Sequence, residues 1–329
     1  MAIVVANQSL DLLSPTYFPG IAGSMLSGPR TDEEVTLVEP DGTIVSLAGS
    51  FTPSGQGLPT GGSVVSLGEV SPTAGDIYGG SGFDIDYATM RAYATAGDSF
   101  GFVMYAMRGD DQIYGSELAD RIVGFDGNDE IYGNRGDDDL NGNVGADTVA
   151  GGNGRDFARG GRDDDFVDGG NGDDWHVNGN IGNDTVLGGG GSDTVYGGQN
   201  ADLLLGDFGD GSAFGGNDYL NGNLGRDSLR GEDGNDTLEG GPGLDTFYFG
   251  SGGGDDRIVD FAPTEDAIAL ESDINGTGLD AASPFSAFTA RLSATAEGTL
   301  LDLGDGDTVL IAGIQPGQLQ AAHFLFYDV

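Results

Sequence analysis

The sequence contains no cysteine and no lysine, and its 329 residues include only two histidines. Without cysteine the chain can form neither disulfides nor thiolate metal sites, and so few histidines leave zinc and copper short of their usual ligands. Acidic residues outnumber basic ones 54 to 12, which gives a formal charge of −42. Such a charge repels nucleic-acid phosphates and anionic membrane surfaces, so it favours cations as partners.

Long hydrophobic segments and catalytic motifs are missing as well. No apolar run reaches the ~20 residues of a membrane helix, so we expect no membrane insertion. The first residues, MAIVVANQSLDLLSP, lack the basic region and long apolar stretch of a secretory signal. No H-E-x-x-H or G-x-S-x-G motif occurs, and His176 and His323 lie in different regions. The sequence therefore predicts a protein that is not an enzyme.

Glycine, in contrast, is abundant, with 63 residues, and many of them recur in units of nine. From Ala106 the chain divides into units such as GFDGNDEIY, GNVGADTVA and GGGGSDTVY. One irregular unit runs from Gly206 to Asn221, and a degenerate last copy runs from Ser251 to Val259. The eighth position is usually Ile, Val, Leu or Phe, and the sixth is always Asp. The sixth-position residues are Asp111, Asp120, Asp129, Asp138, Asp147, Asp156, Asp165, Asp174, Asp184, Asp193, Asp202, Asp218, Asp227, Asp236, Asp245 and Asp256.

Each unit has the composition of a turn followed by a short strand. Six residues led by Gly supply a turn with positive φ angles, and the next three make a minimal strand whose middle side chain points inward. Two units then form one coil, and stacked coils form two parallel sheets around a thin apolar core. Stacking places Asp129 above Asp111, at a strand spacing of ~5 Å where carboxylates repel each other. A hard cation such as Ca²⁺, which prefers oxygen ligands, would convert this repulsion into coordination.

The units resemble the nonapeptide G-G-x-G-x-D-x-U-x of the repeats-in-toxin (RTX) family, a hemolysin-type calcium-binding repeat. The resemblance extends from Ala106 to Val259. It implies an all-β fold, a right-handed parallel β-roll that holds multiple Ca²⁺ ions through the sixth-position Asp side chains and loop carbonyls. It also implies export by a type I secretion system, and hence a secreted or extracellular protein, with association with the cell surface as a further option.

The sequence predicts three domains. Residues 1–105 contain alternating segments such as EVTLVEPDGTIVSLAGSFT, which predict a small N-terminal β-rich domain with a hairpin at Asp-Gly. Residues 106–249 would form the β-roll. Residues 250–329 resemble the capping and type I secretion region of serralysin-type proteases, with a hairpin around GDGD, a short helix near PGQLQAA and a last strand.

Two further features concern the surface of the predicted roll. Asn178 is an insertion in the repeat, so we expect Val177 to take the inward position and His176 to lie in a bulge. Apolar residues also occupy outward positions on successive coils. They are Phe157, Trp175, Tyr196 and Tyr219 on one face and Phe166, Leu187, Leu203 and Leu205 on the other. Such residues favour strands in any case, but contiguous apolar surface also marks contacts, and the sequence leaves both readings open.

The leading functional prediction is a secreted, non-catalytic structural protein of a surface layer, filament or matrix, which folds and self-assembles on Ca²⁺. One alternative is an adhesin or glycan-binding module displayed on a calcium-stabilised spacer. Another is an enzyme with a carboxylate-based site in residues 1–105. The expected partners are calcium ions, further copies of the chain and the type I secretion machinery.

Overall fold

The structure is a computed structural model. It describes the strand segments 3–6, 25–26, 34–38, 44–52, 61–71 and 75–86, and then residues 109–115, 117–208 and 215–328. The chain divides into two compact units, Met1–Val149 and Ala150–Val329. This division falls inside the repeats, and the domain limits predicted at residues 105 and 249 stay a prediction.

The first unit is built from β-strands throughout its described part. The strands are β1 (Ile3–Ala6), β2 (Met25–Leu26), β3 (Glu34–Val38), β4 (Ile44–Thr52), β5 (Gly61–Ser71), β6 (Gly75–Asp86), β7 (Gln112–Tyr114), β8 (Arg121–Asp126), β9 (Glu130–Arg135) and β10 (Asp139–Val144). Strands β2 to β6 pair antiparallel in chain order, so β3 and β4 form the hairpin predicted at the Asp-Gly turn. Strand β1 pairs antiparallel with β6 and parallel with β7. In the repeats the pairing is parallel, β7 with β9 and β8 with β10.

The second unit contains the later repeats and the C-terminal region. Strand β11 (Thr148–Asn153) includes the limit between the units. The strands that follow are β12 (Phe157–Arg162), β13 (Phe166–Asn171), β14 (His176–Ile181), β15 (Thr185–Gly190), β16 (Thr194–Asn200), β17 (Leu203–Leu205), β18 (Tyr219–Gly225), β19 (Ser228–Arg230), β20 (Thr237–Glu239), β21 (Thr246–Phe249), β22 (Asp255–Ile258), β23 (Ala267–Glu271), β24 (Leu292–Ala294), β25 (Gly298–Gly304), β26 (Asp307–Ala312) and β27 (Phe324–Tyr327).

These strands alternate between two parallel sheets, as expected when two units make one coil. One sheet has the order β13-β15-β17-β19-β21-β23-β27, and the other has the order β12-β14-β16-β18-β20-β22-β26. The repeats therefore form a parallel β-solenoid, and the predicted all-β fold with a β-roll is confirmed.

The C-terminal region of the second unit adds antiparallel strands and a few short helices. Strands β25 and β26 form the hairpin predicted around GDGD, and β24 pairs antiparallel with β25. The helices are α1 (Phe285–Thr289) and the 3-10 turns Ile274–Gly276, Pro316–Gln318 and Ala321–His323. The last two lie at the predicted helix near PGQLQAA, and β27 adds the predicted last strand beside β23.

The core of the roll is one side chain thick. Eighth-position residues such as Ile131, Leu140, Val186 and Leu238 are fully buried. They alternate along each strand with outward residues that are half-buried or exposed. Because each strand contributes so little apolar surface, packing alone supplies only part of the stability that the coils need.

The inserted residue lies elsewhere than the sequence predicts. Val177 is fully buried, which confirms its inward position. His176, however, lies inside β14 in regular register with Phe157, so the predicted bulge at His176 is wrong. Trp175, which precedes β14, takes the extra place instead. A turn absorbs an extra residue easily, because it has no ladder of hydrogen bonds to interrupt.

Candidate metal sites

The sixth-position Asp residues lie where each turn enters its strand, and all sixteen are buried. None of them exposes more than 6% of its surface. Carboxylates are rarely buried to this extent without a compensating partner. The question is therefore which groups surround each carboxylate.

One oxygen of most of these carboxylates accepts a backbone N–H from the preceding coil, and this bond fixes the stacking of the coils. In the first unit, the backbone N–H of Asp111 donates to Oδ1 of Asp129 at 2.8 Å. In the second unit, the N–H of Asp184 donates to Oδ1 of Asp202 at 2.9 Å. The same bond reaches across the irregular unit, where the N–H of Asp193 donates to Oδ1 of Asp218 at 2.8 Å over 25 residues. The extra residues there are accommodated without loss of register.

The second carboxylate oxygen faces a small space that only a glycine leaves open. A β-carbon added to Gly197 would lie 2.6 Å from Oδ2 of Asp202 and 2.8 Å from the carbonyl oxygen of Gly222. One added to Gly188 would lie 2.8 Å from Oδ2 of Asp193. The glycine at the first position of the unit thus keeps room between a carboxylate and a main-chain carbonyl of the next coil.

Many of these second oxygens accept no hydrogen bond. Within the part of the chain that the structure describes, they are Oδ2 of Asp129, Asp174, Asp184, Asp193, Asp202, Asp218, Asp227, Asp236 and Asp245. Beside several of them, such as Oδ2 of Asp193, Asp202 and Asp227, a main-chain carbonyl oxygen approaches the same glycine, so a cation or a proton would complete the site. Carboxylate and carbonyl oxygens are the ligands that Ca²⁺ prefers, and the residues present fit that ion.

The pKa values of the buried Asp residues also favour a bound cation. Burial raises the pKa of Asp129, Asp174 and Asp193 to about 8, against the lowering effect of the backbone hydrogen bond from the preceding coil. Neighbouring carboxylates raise these pKa values further. Burial likewise raises the pKa of Asp218 and Asp236 to about 8. A metal-free site therefore resists its negative charge at neutral pH, and a divalent cation would remove that penalty.

Side chains alone do not make a metal site here. Among the described residues, no group of three or more His, Asp or Glu side chains lies close enough to hold an ion. Further ligands would therefore have to come from the main chain, such as the carbonyl oxygen of Gly222 near Oδ2 of Asp202. Binding of an ion there would depend on stacking, and so on folding.

Two buried carboxylates were not among the predicted site residues. Asp266 continues the series after Asp245, whose N–H donates to Oδ1 of Asp266 at 3.1 Å. The sequence carries a signal for it, because Asp266 precedes Ala267-Ile268 in the same order as Asp and the apolar residue of a repeat. Asp207 lies inside the irregular unit, where the period offers no signal.

The outward side chains form a continuous aromatic row on one face. The Phe157 and His176 rings stack with centroids 4.3 Å apart, and His176 lies 5.0 Å from Tyr196. Tyr196 lies 6.3 Å from Tyr219. Trp175 flanks the row, 5.0 Å from Phe157, and is 51% exposed. The predicted row is present, and it also contains His176, which lies between Phe157 and Tyr196 and was not predicted to belong to it.

The opposite face is less continuous than predicted. Phe166 and Leu203 are exposed, but Thr185 lies between them in the sheet. Leu187 is buried. The prediction of an outward apolar series on this face is therefore wrong for Leu187, and Phe166 and Leu203 stand as separate side chains.

Parallel coils with a buried carboxylate at every turn define a calcium-binding β-roll. The RTX calcium-binding nonapeptide repeat matches residues 105–140, 114–149, 141–175, 178–213 and 212–247. The repeat segment of this chain is thus similar to that family over residues 105–247, a little under half of the chain.

Two solved structures show similarity to the chain. The AlgE6R3 subunit of the mannuronan C5-epimerase from Azotobacter vinelandii is 28% identical over 42% of this chain and 80% of its own length, with a TM-score of 0.32. The extracellular lipase LipA from Serratia marcescens is 18% identical over 66% of this chain and 38% of its own length, with a TM-score of 0.25. No curated protein matches the chain. In the described residues, every helix is too short or too polar to cross a membrane.

Proposed function

We propose that this protein is a secreted structural component whose repeats fold when Ca²⁺ binds between the coils and whose folded form associates with further copies. The observation that carries the proposal is the paired geometry of a buried carboxylate oxygen and a main-chain carbonyl, seen at Asp202 and Gly222. In this proposal the sixth-position Asp residues are the carboxylate ligands throughout the roll.

Calcium concentration would then control folding. Sites with the affinity of extracellular modules, a Kd of ~10⁻⁴–10⁻³ M, stay empty inside a cell and fill outside it. At tenfold excess over its Kd, each ion stabilises the folded state by ~1.4 kcal/mol. Because each carboxylate bonds to the main chain of the coil before it, neighbouring sites depend on each other, and folding is steep in Ca²⁺.

Export follows from the same property. At low Ca²⁺ the stacked carboxylates keep the repeats open, and the chain has no cysteine that could lock it prematurely. An open chain is what a type I secretion system transports. We include export by this route, and an extracellular location, in the proposal.

Self-association is the part of the proposal that the aromatic row supports. Trp175, Phe157 and Tyr196 present aromatic surface on one face, and Ca²⁺ reduces the self-repulsion that a charge of −42 imposes. Two folded rolls could then bring these faces together. The buried carboxylates serve as ligands in this scheme, and the protein is non-catalytic.

The test compares circular dichroism and sedimentation velocity in chelator and in ~5 mM Ca²⁺, a concentration above the expected Kd range. We expect β-structure to increase with Ca²⁺ at any protein concentration, and the sedimentation coefficient to rise with protein concentration only when Ca²⁺ is present. Identical β-signals in both conditions would contradict calcium-driven folding. A monomer at every concentration in Ca²⁺ would contradict assembly alone.

A second candidate function rests on the same face. Exposed aromatic rings also stack on sugar rings, and the Arg155 guanidinium lies 6.0 Å from the centroid of Trp175. A glycan-binding module would use this surface while the protein remains monomeric. Retention on a polysaccharide column in Ca²⁺, abolished by Trp175→Ala, would favour this function over assembly.

A further inference from the structure

The irregular unit places one carboxylate outside the repeat series. Asp207 is only 5% exposed, and neither of its oxygens accepts a hydrogen bond from the described residues. The backbone N–H groups of Gly216 and Asp233 lie near enough to lower its pKa, but neither donates it a hydrogen bond. A buried carboxylate in this condition is costly unless something else compensates its charge.

The surroundings of Asp207 share one feature with the repeat sites, a carboxylate oxygen and a carbonyl oxygen beside one glycine. A β-carbon added to Gly215 would lie 2.5 Å from the β-carbon of Asp233, 2.7 Å from the carbonyl oxygen of Asp233 and 3.1 Å from Oδ2 of Asp207. The corresponding distances at Gly197 are 2.8 Å to the carbonyl oxygen and 2.6 Å to Oδ2. Here too a carboxylate oxygen and a carbonyl oxygen lie beside a glycine. However, Asp207, Gly215 and Asp233 do not hold the positions in the nonapeptide that Asp202, Gly197 and Gly222 hold.

The charges around Asp207 also favour a cation. Asp233 and Glu232 both act on Asp207 as like charges, and Asp207 in turn acts on Asp193, Asp218 and Asp236. Glu232 is paired with Arg230 at 3.2 Å, so that arginine already has a partner. The sixth-position ions would not neutralise Asp207 directly, because its oxygens face Gly215 rather than the first-position glycines.

We propose that Asp207 and the carbonyl oxygen of Asp233 bind an additional Ca²⁺ ion at a site separate from the sixth-position series. Asp207 and Gly215 both lie inside the irregular unit, and Asp233 lies in the repeats that follow it. An ion there links the irregular unit to the next coil. It adds to the bond between Asp193 and Asp218, which keeps the register despite the extra residues.

Native mass spectrometry of the full chain in saturating Ca²⁺ counts the bound ions directly. We expect Asp207→Asn to carry one ion fewer than the wild type, and the exposed control Asp305→Asn to carry the same number. An unchanged count in Asp207→Asn overturns this inference and leaves the proposed function standing. A wild type that binds no Ca²⁺ overturns both.

Thermal unfolding in saturating Ca²⁺ adds a second test, in which the direction of the change in Tm caused by Asp207→Asn decides the outcome. If an ion is bound, Asp207→Asn lowers the Tm, because the ion is lost. If no ion is bound, the substitution removes an uncompensated charge and raises the Tm, which overturns the proposal.

A second variant covers the case in which Asp207→Asn does not fold. Gly215→Ala places a β-carbon within 3.1 Å of both oxygens and 2.5 Å from the β-carbon of Asp233, without a change in charge, so it should also lose one ion. Gly317→Ala is its control, because a β-carbon there has nothing within 4 Å. A Gly215→Ala protein with the full ion count overturns the proposal.

Discussion

The repeats and the C-terminal region of the second unit satisfy their buried carboxylates in different ways. In the repeats, Oδ1 of Asp202 accepts a backbone N–H, while its Oδ2 faces a carbonyl oxygen. In the C-terminal region, both oxygens of Asp266 accept backbone N–H groups, from Asp245 at 3.1 Å and from Ala262 at 2.7 Å. The second arrangement needs no ion.

The hydrophobic cores of the two regions also differ, and the core of the C-terminal region again depends less on a bound ion. Most strands of the roll bury a single aliphatic side chain, whereas the C-terminal region packs aromatic rings. Phe288 lies 5.1 Å from Phe324 and 5.5 Å from Phe326. Leu301 and Val309 are fully buried in the antiparallel hairpin of the same region. We infer that the C-terminal region retains structure at Ca²⁺ levels that unfold the roll, and the following predictions test this contrast.

Removal of Ca²⁺ should have the largest effect. In chelator at pH 7.5, we expect backbone amides of residues 117–208 to exchange with solvent on the order of 10² times faster than in Ca²⁺. Amides of β25 should change much less, because β25 pairs with β24 and β26 rather than with a strand of the roll. Hydrogen exchange with mass spectrometry resolves the two regions. Equal acceleration in both would contradict the contrast.

Acid should replace part of the missing Ca²⁺. Burial raises the pKa of Asp202 and Asp227 to about 7 and that of Asp236 to about 8, from 3.8. A group whose pKa rises on folding stabilises the fold fully below its unfolded pKa and loses that contribution as the pH rises through the folded value. Metal-free protein should therefore gain β-structure as the pH falls from about 8 towards 5.

Circular dichroism of the dialysed, metal-free protein across this pH range measures the gain. The Ca²⁺-loaded protein provides the control, since its carboxylates are already compensated and its spectrum should stay constant. A metal-free spectrum that loses β-structure on acidification would show that the buried carboxylates are not what opens the roll.

Single carboxylates should respond according to their region. Asp202→Asn removes a ligand charge, so we expect a several-fold higher Ca²⁺ midpoint for folding. Asp266→Asn directs an amide N–H₂ at a backbone donor, so it should leave the midpoint unchanged and destabilise the protein by about 1–3 kcal/mol in saturating Ca²⁺. Calcium titrations and urea unfolding of both variants separate the effects. Similar midpoint shifts in the two would place Asp266 among the metal ligands.

The sequence predicts the roll well because the period carries the information. Asp at the sixth position and an apolar residue at the eighth specify which side chains are buried, and the structure places Asp129 and Ile131 accordingly. The prediction from sequence fails where the nine-residue period is interrupted. One extra residue near Asp174 can be placed in the turn or in the strand, and only the pairing of β12, β14 and β16 settles that Trp175 takes the extra place.

Asp207 marks a second limit. Its neighbours Gly215 and Asp233 come together only because Asp193 bonds to Asp218 across the irregular unit, a contact that no local pattern specifies. Asp266 can be predicted from the sequence, since it stands two residues before the apolar Ile268, as the sixth-position Asp does in a repeat. Its spacing from Asp245, 21 residues, hides it from a search with a fixed period.

Substitutions on the aromatic row should have the smallest effect on folding and should act on association alone. Trp175 is exposed and lies outside the hydrogen-bonded strands, so the double variant Trp175→Ser and Tyr196→Ser should fold at the wild-type Ca²⁺ midpoint. Its association in Ca²⁺ should be weaker, because the row loses two of its rings. The matched control is Leu325→Ser, an exposed apolar residue of β27 in the C-terminal region, which should associate like the wild type.

Sedimentation velocity over a range of protein concentrations measures association, and the fluorescence of Trp175, the only tryptophan, reports on the row in the wild type. Its emission should shift to the blue in two stages. The first stage follows folding and is independent of protein concentration, and the second follows contact between rolls and depends on it. Weaker association in Leu325→Ser but not in the double variant would show that copies of the protein contact each other through the C-terminal region and not through the aromatic row of the roll.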